Sequence, residues 1–173
     1  MDTTAKVLVG VDGSESSILA LQSAGKIAPA LGAEIHAITC WDFPQIYAGY
    51  VPPDFESFAA AATQTLGGAL AEAYGEDLPA GLTSAVVRGP APAKLVEAGE
   101  GAAMLIVGRR GHGGFMGMHL GSVSAACVTH ATCPVLVVHT TAEKGSGKKH
   151  PERERTEGRE RGFKGLHLSR RTG

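Results

Sequence analysis

Short β-branched apolar runs alternate with amphipathic stripes along most of the 173-residue chain. Residues 6–11, KVLVGV, predict a first strand that stops at the turn signal Asp12-Gly13-Ser14. From Ser14 to Leu31 the apolar positions Ile18, Leu21, Ala24, Ile27 and Leu31 recur at helical spacing. Ser14 suits the N-cap and Gly32 the stop, while Pro29, with no amide hydrogen, weakens the last turn. Residues 34–41, EIHAITCW, predict a second strand. A proline-bearing loop then leads to an alanine-rich helix over about 54–75, whose Gly67-Gly68 pair should weaken its middle. LTSAVVR at 82–88 predicts a third strand, and a short helix follows over 92–100 with Pro92 in its first turn. MLIVG at 104–108 is a wholly apolar fourth strand, as expected where both faces of a sheet are covered. A helix over about 122–131 and a fifth strand, PVLVVH at 134–139, complete the pattern. Strands alternating with helices in this way predict an α/β fold, a doubly wound parallel sheet of five strands.

Composition changes this picture mainly at the C-terminal end. Residues 1–142 carry six Lys/Arg against twelve Asp/Glu, a net of −6; residues 143–173 carry ten against five, a net of +5. The second stretch has too few apolar residues to bury a core, so it reads as a charged, disordered tail appended to one domain at 1–142. Electrostatic binding of nucleic acid or a partner would be the tail's province alone. Three cysteines do not make a disulfide framework and suit a reducing compartment. Without a membrane-length apolar run or a signal-type start, the expected location is the cytoplasm.

The chemistry concentrates after the fourth strand, in GRRGHGGFMGMHLGS at 108–122, a loop with six glycines. A nucleotide P-loop would need Lys and Ser/Thr where Gly114 and Phe115 stand, and the dinucleotide fingerprint would need a glycine at Met116. The spacing present is G-x2-G-x9-G-S, formed by Gly108, Gly111, Gly121 and Ser122. Two glycines that let the backbone curl, followed by a helix N-terminus, make a cradle of amides for an anion. Ser122 and Ser124 offer hydroxyls, and Arg109, Arg110 and His112 offer positive charge. No Asp or Glu lies between Glu100 and Glu143. In an open parallel sheet, ligands sit beyond the carboxyl ends of the strands where strand order reverses, so GVDGS at 10–14 is the natural partner of this loop.

GVDGS, GRRGHGGFMGMHLGSVS and the closing CPVLVV together resemble the universal stress protein family, in particular its ATP-binding branch, over about residues 5–140. The resemblance implies strand order 3-2-1-4-5 in an adenine-nucleotide alpha-hydrolase-like fold. It further implies that Gly10, Val11 and Asp12 lie beside the nucleoside and that the main chain near Cys40 meets the adenine edge. Val107 and Gly108 would flank the ribose. Gly111, His112, Gly121, Ser122, Val123 and Ser124 would hold the phosphates, with Arg109 close by. The implied cofactor is ATP, with Mg2+ held mainly by the phosphates. The implied assembly is a homodimer paired through the strand at 134–139.

Several of these residues also have plainer readings. Asp12 can close its own turn, and Arg109, Arg110 and His112 can be solvated loop charges. Cys127, His130 and Cys133 stand at i, i+3, i+6, but zinc wants a fourth ligand that the sequence does not supply, so packing is the expected role. With no nucleophile–base pair legible, the expected function is a nucleotide-dependent stress-response regulator without efficient turnover. A weak ATPase or phosphotransferase, a cyclic-nucleotide binder and an adaptor acting through the basic tail stand as alternatives.

Overall fold

The computed structural model describes residues 5–42, 55–111 and 120–140. Its strands are β1 (Ala5–Gly10), β2 (Ala33–Trp41), β3 (Thr83–Arg88), β4 (Met104–Gly108) and β5 (Val135–Val138). Between them lie α1 (Glu15–Ile27), α2 (Phe55–Tyr74), α3 (Ala91–Ala98) and α4 (Ser122–His130). All pairings are parallel, in the order β3-β2-β1-β4-β5.

Alternation along each strand divides the core into two layers. Val7, Val9, Ile35, Ala37 and Ile106 pack with α1 and α2 residues such as Leu21, Ala24, Leu66 and Ala69. Their neighbours Leu8, Ile38, Leu105 and Val107 face the other way, onto Leu95 of α3 and Cys127 of α4. The sheet is therefore wound on both faces, which is why β1 and β4 carry continuous apolar runs. Strand order reverses between β1 and β4, whose pairing extends as far as Val9 and Ile106.

The first helix is shorter than the apolar stripe predicts. It ends at Ile27, and Pro29–Leu31 forms a separate 3-10 turn. Pro29 has no amide hydrogen for the Gly25 carbonyl, and its ring crowds that carbonyl, so the α-helical ladder cannot pass through it. Gly32 closes the 3-10 turn at φ 59° and ψ 32°, a left-handed conformation that glycine adopts at no steric cost. At the other end Ser14 is the N-cap, its Oγ accepting from the Ser17 N–H at 3.3 Å. The helix α2 runs unbroken through Gly67 and Gly68. Among the described residues no helix is long and apolar enough to cross a membrane.

Candidate functional site

Beyond the carboxyl ends of β1 and β4, on the α3/α4 side of the sheet, a cavity of about 340 Å³ opens. That volume lies within the range of small-molecule sites. Ten of the residues singled out in the sequence line it on strands and turns or at the start of α4: Gly10, Val11, Asp12, Cys40, Val107, Gly108, Gly111, Gly121, Ser122 and Val123. Ser124 lines it as well. His112 lies outside the described residues.

Arg109 is not among the lining residues; Arg110 takes that position. The Arg109 main chain is instead a structural knot. Its N–H donates to the Val138 carbonyl at 2.6 Å, and its carbonyl accepts from the Gly121 N–H at 2.8 Å and the Ser124 hydroxyl at 3.0 Å. This one residue ties the end of β5 to the start of α4. Ser124 also departs from expectation. Its side chain is 2% exposed, and its single hydroxyl proton is directed at the Arg109 and Gly121 carbonyls, leaving only its amide for the cavity.

The cavity has two chemically distinct ends. At one, Ile38, Leu95 and Val107 form an apolar wall. There the β1–β2 ladder ends at the Gly10–Ile38 pair, with the Val11 N–H donating to the Ile38 carbonyl at 2.8 Å. Cys40, two residues further along β2, turns its main-chain groups to the same side, past the end of β1. The Cys40 thiol is pushed above its ordinary value, chiefly by burial. At the other end lies the start of α4. Gly121 is its N-cap, without a side-chain cap, and its own N–H is spent on Arg109. A helix leaves its first amides without intrahelical acceptors. Those of Ser122, Val123 and Ser124 have no acceptor among the described residues, and all three residues line the cavity.

Asp12 lines the cavity and also closes its own turn. Its Oδ1 accepts from the Ser14 N–H at 3.0 Å and the Ser14 hydroxyl at 2.5 Å, closing the turn into α1. Its other oxygen, Oδ2, lies against the Gly111 backbone, where a Cβ would collide with it. Sequence reasoning missed Ile38, Ala91, Leu95 and Leu120 as lining residues, and offered Arg110 only as a loop charge while placing Arg109 at the site. Only the Arg110 position carried a chemical signal.

The cysteine–histidine series does not converge. Cys127 is fully buried in the core, where burial raises its thiol to about 11, while His130 is exposed on the last turn of α4. Among the described residues no three His, Cys, Asp or Glu side chains are grouped to hold a metal ion.

Fold and site together define a doubly wound α/β domain with a ligand-sized crevice at its topological switch point. The chain belongs to the universal stress protein family, whose profile matches residues 3–139. It is similar to the universal stress protein Rv1996 of Mycobacterium tuberculosis (strain ATCC 25618 / H37Rv), at 34% identity over 140 residues. That match covers 77% of this chain and 43% of the relative. The chain thus spans less than half the length of the curated relatives it matches first. Among solved structures, UspA from Lactobacillus plantarum shares the fold, with a TM-score of 0.63 at 21% identity, over 78% of this chain and 97% of that one. A universal stress protein in complex with cAMP is similar at 28% identity and a TM-score of 0.50, over 79% of this chain and 97% of that one.

Proposed function

We propose that the cavity binds an adenine nucleotide, in the first place ATP, and that the protein is a nucleotide-dependent stress-response regulator rather than an enzyme of efficient turnover. The single observation that carries this reading is the row of amides at Ser122, Val123 and Ser124 without acceptors among the described residues, in a cavity also lined by Ile38, Leu95 and Val107. Backbone amides at a helix N-terminus favour a phosphate, and the outward-turned main chain of Cys40 suits the donor–acceptor edge of adenine. Val107 and Gly108 flank the space left for the ribose.

Binding rather than turnover is favoured by the scarcity of acids. Asp12 is the one carboxylate among the described lining residues, so no set of protein groups is assembled to position a water and a metal together. Mg2+ accompanying a triphosphate would therefore be held mainly by phosphate oxygens. A second reading, a cyclic adenine nucleotide, is favoured by the similar protein that binds cAMP and by the fit of one compact phosphate to three neighbouring amides.

The same proposal covers assembly and setting: a cytoplasmic homodimer paired along β5, with residues 143–173 as a charged appendage to the domain at 1–142. The half-buried edge strand Val135–Val138 supports the pairing, since an uncovered apolar edge is otherwise an aggregation liability. Equilibrium binding of labelled ATP with Mg2+ tests the central claim. Saturable binding displaced by excess ATP is expected, stronger displacement by cAMP would favour the cyclic ligand, and no saturable binding at millimolar nucleotide would overturn both.

A further inference from the structure

Ser16 belongs to no motif that the sequence singles out, yet Gly108 and Arg110 of the turn after β4 both meet it. It stands in the first turn of α1, on the side of the sheet opposite the cavity. The last residue of β4 presses against it: a Cβ at Gly108 would stand 2.9 Å from both the Cβ and the backbone carbonyl carbon of Ser16. Two residues on, the Ser16 hydroxyl donates to the Arg110 carbonyl. The turn from Gly108 to Gly111 therefore sits astride this one side chain.

We propose that Ser16 is a positioning residue that sets the direction of the Gly111 amide toward the phosphate end of the cavity; the inference rests on the nucleotide reading of that site. The Arg110 carbonyl and the Gly111 N–H belong to a single planar trans peptide, so they point in opposite directions. Holding the carbonyl toward α1 turns the amide away from α1, to the side where Arg110 and Gly111 line the cavity. Arg109, on the other side of Arg110, is already fixed by β5 and α4. Ser16 thus holds the next peptide along, between Arg110 and Gly111.

Proton accounting supports an assignment to Ser16 rather than to the neighbouring serine. The Ser14 hydroxyl proton is engaged by Asp12, and its oxygen accepts from the Ser17 N–H. The Ser14 and Ser16 hydroxyls lie 3.3 Å apart. With Ser14's proton on Asp12 and Ser16's on Arg110, neither is left for that contact. Of these two serines, it is Ser16 whose hydroxyl holds the Arg110 carbonyl.

The test uses the full chain with Ser16→Ala, and Ser23→Ala as a control whose hydroxyl bonds only within α1, to the Leu19 carbonyl at 2.7 Å. Affinities for Mg·ATP and for adenosine are measured together with hydrogen exchange at the Gly111 amide. For Ser16→Ala we expect about fivefold weaker ATP binding, the loss of one ordinary hydrogen bond. Adenosine affinity should stay within about twofold, and Gly111 exchange should accelerate, whereas Ser23→Ala should change neither ligand. Equal losses for ATP and adenosine, or unchanged exchange at Gly111, would overturn the positioning role while leaving nucleotide binding standing. A wild-type chain that binds neither ligand would overturn the nucleotide reading and this role with it.

Discussion

Two regions of the molecule spend glycine in opposite ways. At the cavity, Gly10, Gly108, Gly111 and Gly121 all face atoms that leave no ordinary room for a Cβ. In the middle of α2, Gly67 and Gly68 face nothing within 4 Å. In the sequence, the loop glycines read as letting the backbone curl around an anion, and the Gly67-Gly68 pair as weakening a helix. The structure separates them by what stands opposite. At Gly10 it is Leu95 and Val107, at Gly108 Ser16, at Gly111 Asp12. The glycines of the site first permit the protein to pack against itself, bringing β4 and its loop hard against α1. The cavity lies beside that contact, with rims fixed by it.

The largest effect should come from Gly108→Ala. Its Cβ would lie 2.9 Å from a backbone atom of Ser16, which cannot swing aside. Overpacking of this kind costs about 1–3 kcal/mol, and chemical denaturation should show the loss as a lower midpoint at unchanged slope. Gly111→Ala should differ in kind. The obstacle there is the tip of the Asp12 side chain, which can rotate away at the expense of its bonds to Ser14. Stability should then fall by only about 1 kcal/mol, while ATP affinity falls about tenfold as Asp12 is displaced. If both variants lose stability equally, the distinction between a packed and a poised glycine is wrong.

How much of this was legible in the sequence follows the same division. Apolar patterning located the five described strands and α1, because a continuous apolar run such as MLIVG and a 3.6-residue stripe such as that through Ile18 and Leu21 are direct imprints of burial, while alanine content and Pro92 marked α2 and α3. The strand order came with the family resemblance; the stripe carries α1 to Leu31 in the sequence, with Pro29 only weakening its last turn, whereas the helix ends at Ile27. The cavity walls were not legible. Ile38 and Leu95 look like any core residue in sequence, and they are core residues that also happen to border a hollow. The exchange of Arg109 for Arg110 has a similar cause. The chain bends at Arg109, just past the end of β4, and nothing in the sequence says which of the two side chains turns inward there. Ser16 was invisible because its role depends on a residue 94 positions away.

Between those extremes stands Gly25, where the neighbour is neither absent nor immovable. A Cβ there would meet the ring of Tyr74 at 3.0 Å, so this glycine lets α1 and α2 approach closely. The Tyr74 hydroxyl donates to the Leu21 carbonyl at 2.5 Å, across the same contact. Burial, as the largest influence, raises the Tyr74 hydroxyl to about 12 from an ordinary 10. The folded state therefore holds this proton more tightly than the unfolded chain. The associated stability is fully present below pH 10 and is lost as pH rises toward 12. Tyr74→Phe should cost about 1 kcal/mol at neutral pH and flatten the decline in melting temperature over that alkaline window. An equally steep decline in the variant would assign it to other groups, such as the buried Cys127 thiol, raised to about 11.

The smallest and most direct test addresses the open glycines of α2. Both are exposed, neither has a positive φ, and neither faces a neighbour that a methyl group would strike. Glycine in a helix interior costs roughly 0.5–1 kcal/mol relative to alanine, because the unfolded chain gives up more freedom and no side chain shields the backbone. Gly67→Ala and Gly68→Ala should therefore each raise stability by about that amount, with nucleotide affinity unchanged. The two effects should add, since neither new methyl group meets an obstacle. A destabilised variant would mean that something occupies the outer face of α2 at this point. Their glycines would then belong with those of the cavity rim, as places where a neighbour comes close, and the contrast between the two regions would disappear.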